Sequence, residues 1–331
     1  MKILVIKLRA IGDVVLSTIV TKNLRLAYPD ASIHFLTEPA SADVFLHNRY
    51  VDRTLVYRKK EMSGWALIRM VRREKYDLVI DLFGNPRTAL VTRASGARQR
   101  VGFRFRGRAY AYNVLAEPRG NRVHNTQFNL DALVPLGIEI QDRNIYFGYG
   151  QEDQIFVDSF LPRGTGPLVC LNQGGGWYTK RWGREKFASL ADILVEEYGA
   201  RILLAWGPGE AREVEELRGM MKKEAFIPPA TSLPQLGALL ARCALMITND
   251  SGPMHIGAAV GTPILGIYGP TNPALQGPYG ARTAVVSKTG LGCLGCNYTQ
   301  CPIGHPCMRE LEVEDVMSAV RQIVRTHNLF A

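Results

Sequence analysis

A strand–helix alternation that runs once, stops, and then runs again constrains this chain more than any other feature. Lys2–Lys7 is a short β-rich run. Helical spacing follows over Val14–Tyr28, where Val15, Ile19, Val20, Leu24 and Ala27 build one apolar face, and it ends at Pro29. Ser32–Leu36 reads as the next strand and Asp77–Asp81 as another, the latter preceded by a basic helix over Gly64–Lys75. Around residues 151–167 the chain turns polar and bears Pro and Gly. The alternation then restarts with a strand at Leu168–Asn172. Glu185–Tyr198 is amphipathic through Phe187, Leu190, Ala191, Leu194 and Tyr198, with Gly199 just past its end. Further strands are expected at Arg201–Ala205, Leu245–Thr248, Pro263–Tyr268 and Thr283–Val286, and a last helix at Val313–Thr326. Such alternation implies parallel sheets covered by helices on both faces. At 331 residues the chain is long for one core and comfortable for two. The reading is therefore two α/β units, residues 1–160 and 161–331, with the last helix free to pack back on the first unit.

Composition excludes some classes. No apolar run reaches the roughly 18 residues of a membrane span. The apolar start is short and broken by Lys2 and Lys7, unlike a secretory signal. The chain is thus expected in the cytoplasm. Its net charge of +10 is uneven: residues 1–160 hold 24 Lys and Arg against 16 Asp and Glu, and residues 161–331 hold 16 against 14. Arg98, Arg100, Arg104, Arg106 and Arg108 form one group, and Arg69, Arg72, Arg73 and Lys75 another. Either is a solvated basic face or a field that draws an acidic partner to the first half. No recognisable nucleic-acid module is present.

Candidate chemistry lies where ligands bind in open α/β sheets, past the carboxyl ends of strands. The first turn, Lys7-Leu8-Arg9-Ala10-Ile11-Gly12-Asp13, lacks the G-x-G-x-x-G of dinucleotide binders. Asp13 is either a helix cap or a carboxylate placed to take a proton from a hydroxyl nucleophile. In the second unit, Gly174-Gly175-Gly176 allows close backbone approach, and Lys180 and Arg181 offer charge to a phosphate. Glu210, after Trp206-Gly207-Pro208-Gly209, is either a first-turn acid or a ligand for a ribose hydroxyl pair. Asn249-Asp250-Ser251-Gly252-Pro253-Met254-His255 ends a strand and opens a helix, with Pro253 suited to its first turn. Free N–H groups there make an anion site, with His255 about one turn in. No D-x-D motif for a diphosphate-bound metal occurs.

Taken together, Gly12-Asp13, Lys180-Arg181-Trp182, Asn249 to His255 and Tyr268-Gly269-Pro270-Thr271-Asn272-Pro273 resemble glycosyltransferase family 9, the ADP-heptose:lipopolysaccharide heptosyltransferases, with a heptosyltransferase II-like flavour. The likeness runs over nearly the whole chain. It implies the GT-B architecture, two Rossmann-like doubly wound domains facing across a cleft: acceptor-binding in residues 1–160, donor-binding in 161–331. It implies an inverting, metal-independent transfer of heptose from ADP-heptose to the lipopolysaccharide inner core, with Asp13 as general base. By the same resemblance Lys180, Glu210, Asp250, Ser251, Gly252 and His255 would bind the donor, and Gly12, Arg104 and Arg106 would face the acceptor. A phosphorylated lipid A–core acceptor would bring the protein to the cytoplasmic face of the inner membrane. Alternatives are a nucleotide-sugar epimerase or a transferase of another sugar on the same fold, and a non-catalytic binder of a polyanion or membrane surface.

Cys293, Cys296, Cys301 and Cys307 stand in C-x2-C-x4-C-x5-C spacing with His305 among them. On spacing alone a structural zinc site is suggested, with reduced thiols or disulfides as alternatives. Cys170 and Cys243 read as small core residues. No catalytic metal is expected.

Overall fold

The computed structural model describes residues 1–161 and 163–330; Pro162, in the polar junction, and Ala331 lie outside the described residues. The chain divides into Met1–Gly148 and Tyr149–Ala331.

In the first unit the strands are β1 (Lys2–Ile6), β2 (Ser32–Thr37), β3 (Arg53–Val56), β4 (Leu78–Asp81), β5 (Gln99–Phe103) and β6 (Val114–Ala116). They form one sheet in the order β3-β2-β1-β4-β5-β6, every pair parallel. The second unit holds β7 (Leu168–Asn172), β8 (Arg201–Leu204), β9 (Ala225–Phe226), β10 (Leu245–Asn249), β11 (Ile264–Tyr268) and β12 (Thr283–Ser287). Their order, β12-β11-β10-β7-β8-β9, is the first sheet's order repeated, again all parallel. In each, the chain winds outward from a central strand, crosses back, and winds the other way. The switch points therefore lie between β1 and β4 and between β7 and β10, and a crevice opens there past the carboxyl ends.

Central strands are buried throughout because helices cover both faces, so their sequences are continuous apolar runs. The edge strands Arg53–Val56, Ala225–Phe226 and Val114–Ala116, with Gln99–Phe103, escape the sequence reading. They are short or polar, and a half-exposed edge imposes no such run. The helix after β1, Ile11–Ala27, is buried nearly all round and still carries Ser17, Thr18, Thr21 and Asn23. The three hydroxyls each donate to a carbonyl three residues back, at 2.7, 2.6 and 2.8 Å. Asn23 meets Gln141 N–H, Asp142 N–H and Asp142 O, so the segment at 141–146 seals the outer side of that helix. In the second unit, Arg184–Tyr198 ends on Gly199 at φ +60°, the left-handed cap its glycine allows. The last helix, Val313–His327, buries Val316, Met317, Val320 and Ile323 in the second unit's core. The helix Gln151–Phe160 belongs to the same unit and packs on Leu233–Leu240.

Candidate functional site

Most helices that begin with a capping-type residue are closed by its side chain. Ser63 accepts from Ala66 N–H at 3.2 Å, Asn85 from Thr88 N–H at 2.8 Å and Ser232 from Gln235 N–H at 3.3 Å. Of the helices that follow the switch-point strands, the one after β4 is among these, but those after β1 and β10 are not. Ile11–Ala27 begins after Ala10, and Gly252–Ala259 begins after Ser251, and neither has a side-chain cap. Their first N–H groups and the positive ends of their dipoles are left for another partner.

In the first unit, Asp13 is the third residue of its helix, not its cap, which corrects the capping reading: the cap position is Ala10. The Asp13 carboxylate is 23% exposed and pairs with Arg9 Nε at 3.0 Å. Gly12 is buried beside it. Two neighbours escaped the sequence reading. Lys7, just past β1, is buried and donates to Leu82 O and Asn129 Oδ1, both at 3.1 Å. Burial pushes its pKa down, while the Asp13 and Asp81 carboxylates pull the other way. Asp81 ends β4 fully buried and accepts from Phe83 N–H, Gly84 N–H and Tyr112 OH at 3.0, 2.9 and 2.9 Å. Burial raises its pKa against those bonds. Gly102 makes this possible, since a Cβ there would run into the Tyr112 ring. A charge directly after a buried strand was the available signal for both. Arg104 and Arg106 flank Phe105, whose ring lies over Gly84. Arg104 pairs with Glu117 at 2.6 Å, and Arg106 is exposed.

In the second unit, the loops after β7, β8, β10 and β11 converge. Lys180 Nζ lies 2.7 Å from Asp250 Oδ2, both largely buried, and 4.4 Å from the Trp177 ring centre. Thr271 Oγ1 donates to the same Asp250 oxygen at 2.7 Å. Asp250 directly precedes Ser251 and the uncapped helix, and Ser251 Oγ meets Thr248 Oγ1 at 3.2 Å. His255 is buried in that helix. Glu210 stands just before the helix Ala211–Met220 and accepts from Gly207 N–H at 2.8 Å. Its carboxylate reaches Gly174, where a Cβ would come within 2.6 Å of it. That is the reason for a glycine there, since none of Gly174, Gly175 and Gly176 has positive φ. Asn249 fastens this loop to β10, accepting from Trp182 N–H and donating to Gln173 O.

One expectation is corrected. Arg181 is not a free phosphate ligand, because it holds both Glu213 oxygens and Gly175 O. Trp182 is a core residue, 1% exposed, with its indole N–H on Leu311 O.

The four clustered cysteines border a single cavity of about 180 Å³ together with Thr179, Pro270, Ile303 and His305. All six cysteines are free thiols. Burial raises the Cys307 pKa, and the other three thiols of the cluster add to the shift. Among the described residues, no three His, Cys, Asp or Glu side chains converge as a closed metal-ligand set. Cys170 and Cys243 are buried core residues, as expected.

The sequence profile of glycosyltransferase family 9 (heptosyltransferase) matches residues 64–306. The chain is 27% identical to lipopolysaccharide heptosyltransferase 3 of Escherichia coli K12, over 96% of this chain and 95% of that one. The crystal structure of a family 9 glycosyltransferase from Veillonella parvula superimposes with a TM-score of 0.83 at 25% identity, over 98% and 97% of the two chains. That of E. coli heptosyltransferase WaaC with ADP does so at 0.77 and 21%, over 98% and 100%. The α/β architecture of two doubly wound units is the GT-B fold, and the match covers well over half of the sequence: this chain is a glycosyltransferase and belongs to glycosyltransferase family 9, the heptosyltransferases.

Proposed function

We propose that the protein moves heptose from an ADP-heptose donor to a hydroxyl of the lipopolysaccharide inner core, with inversion and without a catalytic metal. The observation that carries this reading is the Lys180–Asp250 pair beside the uncapped start of Gly252–Ala259. An ammonium has three donors. One is held by Asp250, and the others can meet a diphosphate that also receives the helix's first N–H groups. Glu210, in the loop between β8 and the helix Ala211–Met220, sits where an acid can take a ribose hydroxyl pair. Ser251, Gly252 and His255 would complete the donor site.

Asp13 is the general base of this reading. It accepts the proton of the acceptor hydroxyl as that oxygen bonds to the anomeric carbon. The bond from that carbon to the diphosphate oxygen breaks, and its electron pair leaves on ADP. Attack from the face opposite ADP inverts the centre. Charge grows on the departing diphosphate, where Lys180 and the helix start stabilise it. Losing one such donor typically costs about 3–4 kcal/mol of barrier. Gly12, Arg104 and Arg106 belong to the acceptor side, and the excess positive charge of the first unit suits a phosphorylated lipid A–core acceptor. Peripheral contact with the cytoplasmic face of the inner membrane follows from such an acceptor. The basic helix Gly64–Arg73 supports it, presenting Trp65 at 77% exposure beside Arg69, Arg72 and Arg73.

Turnover of ADP-heptose with a panel of truncated core acceptors, read by mass spectrometry, tests the reading. Heptose addition to one acceptor is expected. Isomerised sugar from donor alone would instead mark an epimerase, and salt-sensitive polyanion binding without ADP binding would mark a non-catalytic binder.

A further inference from the structure

We infer that Arg9 is an acceptor-binding residue: while its Nε–H holds Asp13, the outer edge of its guanidinium receives an oxyanion, a phosphate or a carboxylate, carried by the acceptor sugar beside the hydroxyl under attack. The inference rests on the transferase reading above and states what that acceptor must carry.

Arg9 stands just past the carboxyl end of β1, in the loop that leads into the helix Ile11–Ala27. Loops after three strands of the first unit meet on it. Ser41, buried after β2, donates to Arg9 O at 3.0 Å and fixes its backbone. Phe83, two residues past β4, lies under the guanidinium, with 5.7 Å between Cζ and the ring centre. Asp13 accepts the Nε–H on Oδ2 at 3.0 Å. The side chain therefore lies at the first unit's switch point, between the ends of β1 and β4, where an open α/β sheet takes its ligand.

Stability gives no reason for an arginine at this place. Its side chain is 55% exposed, and exposed ion pairs contribute little. The position also opposes the helix dipole, whose positive end disfavours a cation and would favour Asp13 alone. The first bond of the helix is Val14 N–H to Ala10 O, so the N–H groups of Ile11, Gly12 and Asp13 come before it and add to the positive field. What the arrangement supplies is donors. A guanidinium carries five N–H groups in a planar fork. Asp13 takes the one on Nε, and among the described residues nothing takes those on Nη1 and Nη2. Neighbouring arginines differ: Arg25 engages both Nη atoms, and Arg119 closes on both Asp131 oxygens. Phe83 covers one face of the Arg9 fork, which leaves its outer edge for a bidentate oxyanion.

The same contact prepares Asp13. With Oδ2 on Arg9, Oδ1 has no other hydrogen bond or ion pair among the described residues and is left for the acceptor hydroxyl. An acceptor gripped at its oxyanion by Nη1 and Nη2 and at its hydroxyl by Oδ1 is held at two points, which selects the hydroxyl that meets the base. Arg9 also stands between two negative groups. Without it the Asp13 carboxylate would repel an anionic acceptor.

The test uses the full-length protein, ADP-heptose, and the core acceptor that the panel above identifies. That acceptor is offered untreated, dephosphorylated by a phosphatase, or with its carboxylates converted to methyl esters. In wild type at least one treatment should raise the acceptor KM about 10- to 150-fold. Arg9→Ala should raise the KM of the untreated acceptor by a similar factor and abolish the effect of one treatment, which names the group as phosphate or carboxylate. The KM for ADP-heptose should stay within about twofold. Arg9→Lys, which keeps the charge but not the fork, should recover part of the loss. A merely structural role would leave the preference for the charged acceptor intact. An acceptor KM that neither treatment changes in wild type, or a wild-type preference retained by Arg9→Ala, would overturn the inference and leave the transferase standing. A fall in kcat at unchanged acceptor KM in Arg9→Ala would overturn the anion contact and reduce Arg9 to orienting Asp13. Wild-type protein that transfers to no acceptor would refute the transferase reading itself, and this inference with it.

Discussion

Replacing Gly174 by alanine should displace Glu210 and leave the fold standing. A Cβ at this position would lie 2.6 and 2.8 Å from the two Glu210 oxygens and 3.0 Å from Asn172 Oδ1. Non-bonded heavy atoms in good contact stand about 3.5–4.0 Å apart, so the carboxylate must retreat by close to 1 Å. It is the far end of a flexible side chain and can do so. The cost to stability is then the Glu210–Gly207 hydrogen bond at 2.8 Å. That is about 1 kcal/mol, or roughly 2–4 °C in Tm for a unit of this size. The cost to binding is larger. Hydrogen bonds from a ribose to a carboxylate are worth about 1.5–3 kcal/mol, so the ADP Kd should rise about 10- to 150-fold. Calorimetric titration of wild type, Gly174→Ala, Glu210→Ala and the double variant separates the routes. If the alanine acts through Glu210, it should cost nothing further once Glu210 is gone. An equal loss of affinity in the Glu210→Ala background would refute the argument, as would full ADP affinity in Gly174→Ala.

Asp13→Asn should lower turnover by at least about a thousandfold while the ADP Kd stays within about twofold; transfer at the wild-type rate would remove Asp13 as the base. Lys180→Ala should raise the ADP Kd about 10- to 100-fold, because a charged donor is lost and Asp250 is left without its cation; unchanged affinity in a titration would count against the diphosphate role. Asp81→Asn tests the buried carboxylate at the end of β4. Burial raises its folded pKa above the ordinary 3.8. Its contribution is therefore fully present below that value and is lost as pH rises through the folded pKa. Denaturant unfolding should show wild type losing stability relative to Asp81→Asn as pH rises above the ordinary carboxylate value of 3.8; a flat or rising difference would contradict the shift.

Much of the fold was legible because a strand buried on both faces has to be apolar along its whole length. Leu168–Asn172 carries its own boundaries, and Gly199 marks a helix end by the one backbone conformation it tolerates best. Arg53–Val56 and Ala225–Phe226 were not legible, because edge strands answer to a neighbour rather than to a core. Glycine, acid and proline at the ends of β1, β8 and β10 gave the positions of Asp13, Glu210 and Asp250, since helix starts select those residues locally. Local reasoning failed where partners decide. Arg181 looked like a phosphate ligand until Glu213 took it.

The sequence by itself determined two α/β units and the residues that stand at the ends of their strands, because propensity and hydrophobic period act within a few residues. Only the tertiary structure decided that β7 lies beside β10, so that Lys180 meets Asp250 across seventy residues of chain, that Asp13 is not its helix's cap, and that four thiols share one cavity. Strand order and side-chain partners are set by contacts distant in sequence, and those take shape only when the sheets assemble.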